Sequence, residues 1–410
     1  MFPALSPLGT DPHLLMRAGS DGGVCDAAAV LDRLAPDGDD AAEAAGWPFF
    51  GQLVAHDITA DRSALTGADV DTATLRNARA PRLNLETVYG DGPVGSPFLF
   101  DVDDPAKFLL SDDGHDVPRN RQGVALIGDP RNDVHLFSLT LHVALLHAHN
   151  RIVDLLRAED DGADVFTRAQ TALTWHYQWI VVNDFLPRLV GRALVEEVLG
   201  EGGRWFAPKP GEAFIPLEFA DAAYRYGHGQ IRHSYRLVEG GPAVPLFPDL
   251  VGFGSPLRRL DLAQIFDVPG RPAAQRAKRL DGRLAASLIG LPEQVTGAVD
   301  DAAYRSLAVR DLLRGESTQL PSGEDVATLL GQAPLDADRD WPHGTPLWYY
   351  VLKEAEYRAG GDRLGPVGGR IVAEVLIGLL RADRQSYLSA DPEWTPGLAG
   401  GLVELLGLTA

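Results

Sequence analysis

The chain has 410 residues, enough for one large domain or two modest ones with a substantial buried core. Hydrophobic residues make up 45% and charged residues 23%, an ordinary globular composition that argues against disorder over most of the length. The net charge is −20 and no run of Lys or Arg interrupts it, which excludes a nucleic-acid partner held by a basic stripe; solubility is the plain reason for the acidity.

A single cysteine, Cys25, rules out an intrachain disulfide. Met1 to Met16 lacks a basic segment followed by an apolar run, and no window reaches the ~18 apolar residues of a spanning helix. The expectation is a soluble, cytoplasmic protein without a membrane partner.

In chain order, residues 1–45 are rich in Asp, Gly, Pro and Ala and read as an irregular lead-in with one short helix near Ala27–Leu34. Residues 46–410 read as one domain. Trp47–Thr59 is an apolar helical stretch, residues 60–133 are loops with short strands at best, and Phe137–Leu156 has strong helical spacing. A long pattern from Val165 to Leu199 breaks near Asp184–Pro187, where the proline ring disfavours a straight helix. Leu217–Arg232 reads as helix, 238–273 as a proline-rich loop, and further helices are expected at 301–314, 323–332, 346–358 and 366–390. Strand alternation is scarce and no repeat stands out. The fold class is therefore mainly α: a single large helical domain with long ordered loops, wrapped round a cofactor.

Three segments carry candidate chemistry. In the helix Trp47–Thr59, Gln52 and His56 are four apart and share a face that is otherwise apolar. Such a pair either finds partners in the core or serves a buried ligand. Gly128-Asp-Pro-Arg-Asn-Asp133 puts Arg131 in a turn before a helix. His135, His142, His147 and His149 follow, and a zinc cluster there is an alternative reading, although the spacing lacks a clean HxxxH with a carboxylate. In Glu218 to Arg236, Arg225 and His228 are three apart, and Gly227 removes bulk beside a histidine that could ligate iron. Ligation by the Cys25 thiolate is the lesser reading, because Cys25 lies in a loop-like stretch.

These segments, in this order, resemble the animal-type haem peroxidases of the peroxidase–cyclooxygenase superfamily, in their bacterial branch. The family reads roughly G-Q-x-x-D-H-D, G-D-x-R-x-x-E and F-R-Y-G-H. Here the matching stretches are Gly51-Gln-Leu-Val-Ala-His-Asp57, Gly128-Asp-Pro-Arg-Asn-Asp-Val134 and Tyr224-Arg-Tyr-Gly-His228. His149-Asn-Arg151, Asn183 to Pro187, Val88-Tyr-Gly90 and Leu320-Pro-Ser-Gly323 add to the match, which covers about residues 45–390.

The resemblance implies a peroxidase that uses hydrogen peroxide to oxidise a small organic donor or a halide through a ferryl intermediate. It implies His56 as the distal base, Arg131 as the cation stabilising the breaking O–O bond, Gln52 as holder of distal water or substrate, His228 as proximal iron ligand and Arg225 as partner of a haem propionate. Heterolysis of peroxide calls for such a proton shuttle and a fixed cation.

The sequence also departs from the family. Mammalian members attach haem through an Asp before the distal His and a Glu three residues after the Arg; here these are Ala55 and Val134, and a methionine linkage is replaced by His135. Reversibly bound haem b is expected. Asp57 matches a family calcium ligand, with Asn84 and Glu86 as oxygen donors in the partner loop; the other reading is that Asp57 caps nearby backbone. The family's Asn that orients the proximal His falls, counted from Leu320-Pro321, at Glu324, where a carboxylate would make the imidazole more anionic; a surface Glu is the other reading.

Two competing functions remain. Fatty-acid dioxygenases and cyclooxygenases of the superfamily use a Tyr radical three residues before the proximal His, and that position is Arg225; Tyr224 and Tyr226 flank it and are expected to point elsewhere on a helix. A haem-binding protein without turnover would not need Gln52, His56 and Arg131 together.

Overall fold

A computed structural model describes residues 1–28, 39–60, 75–159, 164–250 and 259–407. Ten helices organise it in chain order: α1 (Pro12–Gly19), α2 (Gly46–Ile58), α3 (Leu136–Glu159), α4 (Val165–Ile180), α5 (Leu186–Val190), α6 (Arg192–Glu201), α7 (Leu307–Ser317), α8 (Gly323–Leu329), α9 (Leu347–Ala359) and α10 (Pro366–Ala382). Shorter turns of helix join them. Among the described residues, sheet is limited to two antiparallel ribbons: Asp40–Ala44 with Arg276–Lys278, and Ser234–Arg236 with Ala243–Pro245. The mainly α expectation stands, and none of the described helices is long and apolar enough to cross a membrane.

The lead-in is less irregular than its composition suggests. Asp11 accepts from the His13 amide and Pro12 opens α1, both standard helix-start devices. This helix lies against α7, so closely that a Cβ on Gly19 would come within 2.6 Å of the Val309 nitrogen. The helix expected near Ala27–Leu34 falls largely outside the described residues.

Two helices are buried almost all round, as a helix apolar on every face must be. In α10 every residue but Pro366, Arg370 and Arg381 is buried, and α2 is buried except at Gln52 and Ala55. Glu354 on α9 accepts from the Val367 and Gly368 amides, satisfying orphan donors at the start of α10. The expected break near Asp184–Pro187 is a single π-type turn, Val181–Phe185, between α4 and α5, which lets Pro187 sit in the first turn of α5.

The stretch expected to be one helix over Leu217–Arg232 is not. It is α-helical only over Leu217–Ala220 and then turns as 3-10 helix over Ala223–Gln230. Gly227 and Gly229 weaken an α-helix there, and Arg225 and His228 are both tied to one carboxylate on α7. That difference changes which side chains face the cavity behind α2.

Candidate active site

Helix α2 forms one wall of a cavity of about 380 Å³, within the usual range for small-molecule sites. Gln52, Ala55, His56 and Thr59 line it from α2, and Val134 and His135 from the start of α3. The opposite wall is Phe219, Tyr224, Arg225, Tyr226, Gly227 and His228. Gly51 permits the close approach of these walls: a Cβ there would meet the Tyr226 hydroxyl at 3.1 Å and the Phe185 ring at 3.2 Å.

His56 is 8% exposed, and its Nδ1 lies 2.8 Å from Asn132 Oδ1. The Asn132 amide nitrogen donates to Thr87 Oγ1 (2.9 Å) and to His142 Nδ1 (3.1 Å), and its oxygen faces His56. His56 therefore carries its proton on Nδ1 and presents a bare Nε2. Burial, helped by the nearby Arg131 charge and opposed by the Asn132 bond, pushes its pKa down to about 4. A neutral imidazole with its lone pair free is a competent proton acceptor.

Arg131 sits in the 3-10 turn Pro130–Asp133, capped by Asp129. Its Nε and Nη2 grip both Asp129 oxygens at 3.0 and 2.7 Å, and Nη2 donates to the His56 carbonyl at 2.9 Å. Arg131 is not among the residues lining the cavity. The distal cation expected to face the cavity is instead a clamp on the end of α2. Gln52 does line the cavity, and its Oε1 lies 2.8 Å from Nε2 of the buried His135.

On the facing wall, His228 Nδ1 lies 2.6 Å from Asp311 Oδ2 on α7. Asp311 is fully buried and also accepts from Arg225 Nη1 at 2.8 Å. Burial alone would raise its pKa, but His228 and Arg225 outweigh that and hold it below the ordinary carboxylate range. The carboxylate fixes the His228 proton on Nδ1 and leaves Nε2 for the cavity, the arrangement used to orient metal-binding histidines. Arg225 lines the cavity, but its fork is engaged by Asp311, by Asp221 (3.1 Å) and by the Ala220 carbonyl (2.9 Å) rather than held open for a propionate.

Glu324 is not the partner of His228. Its oxygens accept from the Thr345 hydroxyl (2.6 Å) and amide (2.9 Å) at the start of α8. The carboxylate expected from the Leu320-Pro321 loop comes from Asp311, 83 positions from His228, where no local pattern marks it.

Asp57, Asn84 and Glu86, the expected calcium donors, are each bonded to protein groups. The buried Asp57 accepts from the Leu85 amide (3.0 Å) and the Thr87 amide (3.4 Å), Asn84 Oδ1 accepts from the Glu86 amide, and Glu86 pairs with Arg79 at 2.8 Å. Among the described residues no group of three or more His, Cys, Asp or Glu is placed to hold a metal. The capping reading of Asp57 is the one its geometry fits. Its bonds hold Leu85 in the left-handed region (φ 57°), where a branched residue is strained. Burial, opposed by these bonds, raises the Asp57 pKa to about 7.

The zinc alternative also fails, because the histidines have separate partners. His142 meets Asn132, His147 meets the Gly114 carbonyl, and His149 lies between the Tyr89 hydroxyl and the Ala106 carbonyl. Cys25 is buried in the core, away from the cavity, and burial pushes its thiol pKa well up. Tyr224 and Tyr226, expected to point away, both line the cavity, because the 3-10 path turns residues that an α-helix would separate. Tyr224 stacks on Phe219 with centroids 4.5 Å apart.

Sequence reasoning missed Asn132 and Asp311, and named His135 only in the zinc alternative and at the position of a family methionine. Asn132 follows Arg131 directly and could have been suspected from that position.

Comparison with known proteins bears on the family and the fold. Among curated proteins, the chain is 26% identical over 178 residues to "Heme peroxidase 2" of Caenorhabditis elegans, covering 39% of this chain and 25% of that protein. It is 25% identical over 305 residues to "Chorion peroxidase" of Aedes aegypti, covering 66% and 36%. The chain thus spans about a quarter to a third of the length of these two relatives. Among solved structures, peroxidase A from Dictyostelium discoideum superposes with a TM-score of 0.64 at 15% identity, covering 96% of this chain and 88% of that one. Fatty acid alpha-dioxygenase from Oryza sativa gives 0.67 at 16% identity, covering 92% and 73%. At these identities the structures speak for the fold. The family described as "Animal haem peroxidase" matches residues 60–330, well over half of the chain. With that match, in a helical fold shared with these structures, the chain belongs to the animal haem peroxidase family.

Proposed function

We propose that the chain is a haem peroxidase that takes hydrogen peroxide as oxidant and a small organic molecule or a halide as electron donor. Family and fold imply haem, and the residues present fit it: a largely apolar cavity has His228 on one wall with a free Nε2, and His56 on the other. The observation that carries the reading is this pair of imidazoles lining one cavity, one backed by a carboxylate and one by a carboxamide.

When bound, the haem would supply an iron able to accept two oxidising equivalents from peroxide. The chain does the rest. His228 would hold the iron, with Asp311 fixing its tautomer and enriching its electron density. His56 Nε2 would take a proton from the inner oxygen of peroxide and return it to the outer one as that oxygen leaves. Gln52 lies one turn away on the same wall to hydrogen-bond the outer oxygen. Ala55 and Val134 line the cavity with groups that cannot form esters, which supports non-covalent haem b. No geometry for calcium supports that metal.

A fatty-acid dioxygenase is the second reading, favoured by the TM-score of 0.67 to the rice enzyme. Against it, the position three before His228 is Arg225, locked to Asp311 and Asp221. The test is to load the protein with haem, mix it with hydrogen peroxide under stopped flow and follow the Soret band, then screen phenols and halides as donors. A rapid change that donors reverse, and that His228→Ala abolishes, is expected. No reaction with peroxide, together with oxygen uptake on adding palmitic acid, would overturn the peroxidase reading.

A further inference from the structure

The cavity wall carried by α2 and α3 contains two imidazole–carboxamide pairs of opposite polarity. In the first, His56 donates from Nδ1 to Asn132 Oδ1 (2.8 Å), and Thr87 and His142 take up the Asn132 amide hydrogens. With the Asn132 amide in this orientation, the His56 proton sits on Nδ1. In the second, the backbone amide of Ser138 donates to His135 Nδ1 (3.2 Å), so that nitrogen must be bare. The His135 proton therefore sits on Nε2 and is given to Gln52 Oε1 (2.8 Å). Burial drives the His135 pKa down to about 3, so it stays neutral. With Gln52 Oε1 consumed, its amide nitrogen, which has no hydrogen bond among the described residues, is the group turned to the cavity.

We propose that Asn132 and His135 are positioning residues. Asn132 locks His56 as an acceptor at Nε2, and His135 locks Gln52 as a donor at its amide nitrogen. Together they give one wall a fixed acceptor beside a fixed donor, four residues apart on α2. That polarity matches a neutral O–H species, whose proton goes to the acceptor and whose second oxygen takes the donor. It does not match a ligand that only donates or only accepts. The inference rests on the peroxide reading for its substrate, but its core is a statement about two tautomers.

Both locks are set by buried partners outside the cavity. Asn132 is fully buried; Thr87, one of its anchors, is also held through its backbone amide by Asp57 on α2. The support for the acceptor therefore closes back on its own helix. His135 is anchored within its own turn by Ser138, whose hydroxyl also lies 3.2 Å from Nδ1.

The test is long-range proton–nitrogen correlation spectroscopy on the haem-loaded, diamagnetic ferrous–carbonyl protein. His56 is expected protonated at Nδ1 and His135 at Nε2. In Asn132→Leu the His56 signals should shift to a mixture of tautomers. The rate of reaction with hydrogen peroxide should fall on the order of tenfold, the equilibrium worth of one hydrogen bond. Asn132→Asp, which keeps an acceptor in place, should restore the Nδ1-protonated form. His135→Leu should release the Gln52 amide, seen as faster exchange of its side-chain hydrogens, and His135→Gln should restore its protection. If wild-type His56 is protonated at Nε2, or His135 at Nδ1, the proposal is wrong whatever the variants do. If the tautomers are as stated but peroxide does not react, the locks stand and the peroxidase reading falls.

Discussion

Replacing Asp311 with Asn tests the proximal side most sharply, because it removes a charge while leaving an acceptor for the His228 N–H. The present contact is 2.6 Å, short even for a charge-assisted bond, and the carboxylate is fully buried. A hydrogen bond to a charged group contributes roughly 1.5–3 kcal/mol and one between neutral groups about 0.5–1.5 kcal/mol. The difference between the midpoints, about 1.25 kcal/mol, sets the scale of the preference for the ferric over the ferrous state, because an electron-rich imidazole stabilises the more positive iron. Converted at one electron, it is about 54 mV. Asp311→Asn should therefore raise the ferric–ferrous potential of the haem-loaded protein by that order. The assay is a dye-coupled reductive titration followed at the Soret band. The same titration on Glu324→Gln should leave the potential unmoved, since Glu324 bonds only Thr345 in this region. The amide nitrogen of the variant would face Arg225 Nη1, so a lower melting temperature is also expected and does not count against the argument. An unchanged or lowered potential in Asp311→Asn, or a shift in Glu324→Gln, would refute the assignment of Asp311.

Acid and organic solvent should draw haem colour away from the polypeptide, since Ala55 and Val134 offer no ester; colour retained by the protein would refute this. His56→Ala should slow the peroxide reaction by ~10²–10⁴-fold. Arg131→Ala should slow it less, because Arg131 grips Asp129 and the His56 carbonyl rather than lining the cavity; stopped-flow rates of both variants decide the order. Burial holds His56, His142 and His149 at about pKa 4 and His135 at about 3. These folded values lie below the unfolded ~6.5, so protons favour the unfolded chain, and stability present above pH 6.5 is lost as pH falls toward 4, by up to about 1.4 kcal/mol per unit for each group. Urea midpoints measured between pH 7 and 4.5 should drop steeply, and a flat profile would contradict this. Exhaustive chelation of divalent cations should leave the melting temperature unchanged, because Asp57 is satisfied by the Leu85 and Thr87 amides.

The sequence by itself determined the helices and the two histidines. Apolar spacing marked α2, α3 and α9 nearly to their ends and the start of α10, which was expected to run on to 390 but stops at Ala382, because a helix that buries most of its surface cannot hide its composition. Gln52 and His56 were visible as polar residues on an apolar face, and His228 as a histidine beside a glycine; all three do line one cavity. Only tertiary structure decided what stands behind them. Asp311 reaches His228 across 83 positions, a pairing that depends on where α7 docks and not on any local pattern. Counting along the chain led instead to Glu324, which turns to Thr345 once Ser322 caps α8. The guanidinium of Arg131 and the oxygens of Asp57, Asn84 and Glu86 were legible as chemistry but not as direction. Each found a nearer partner, in Asp129, in backbone amides or in Arg79, because a buried polar group takes the hydrogen bond the packing offers. Even Tyr224 and Tyr226 changed sides when glycines and the shared Asp311 anchor tightened an expected α-helix into 3-10 turns. Periodicity records which surface a segment buries; the direction of a side chain within that burial is set by residues far off in sequence, which only the assembled fold brings into contact.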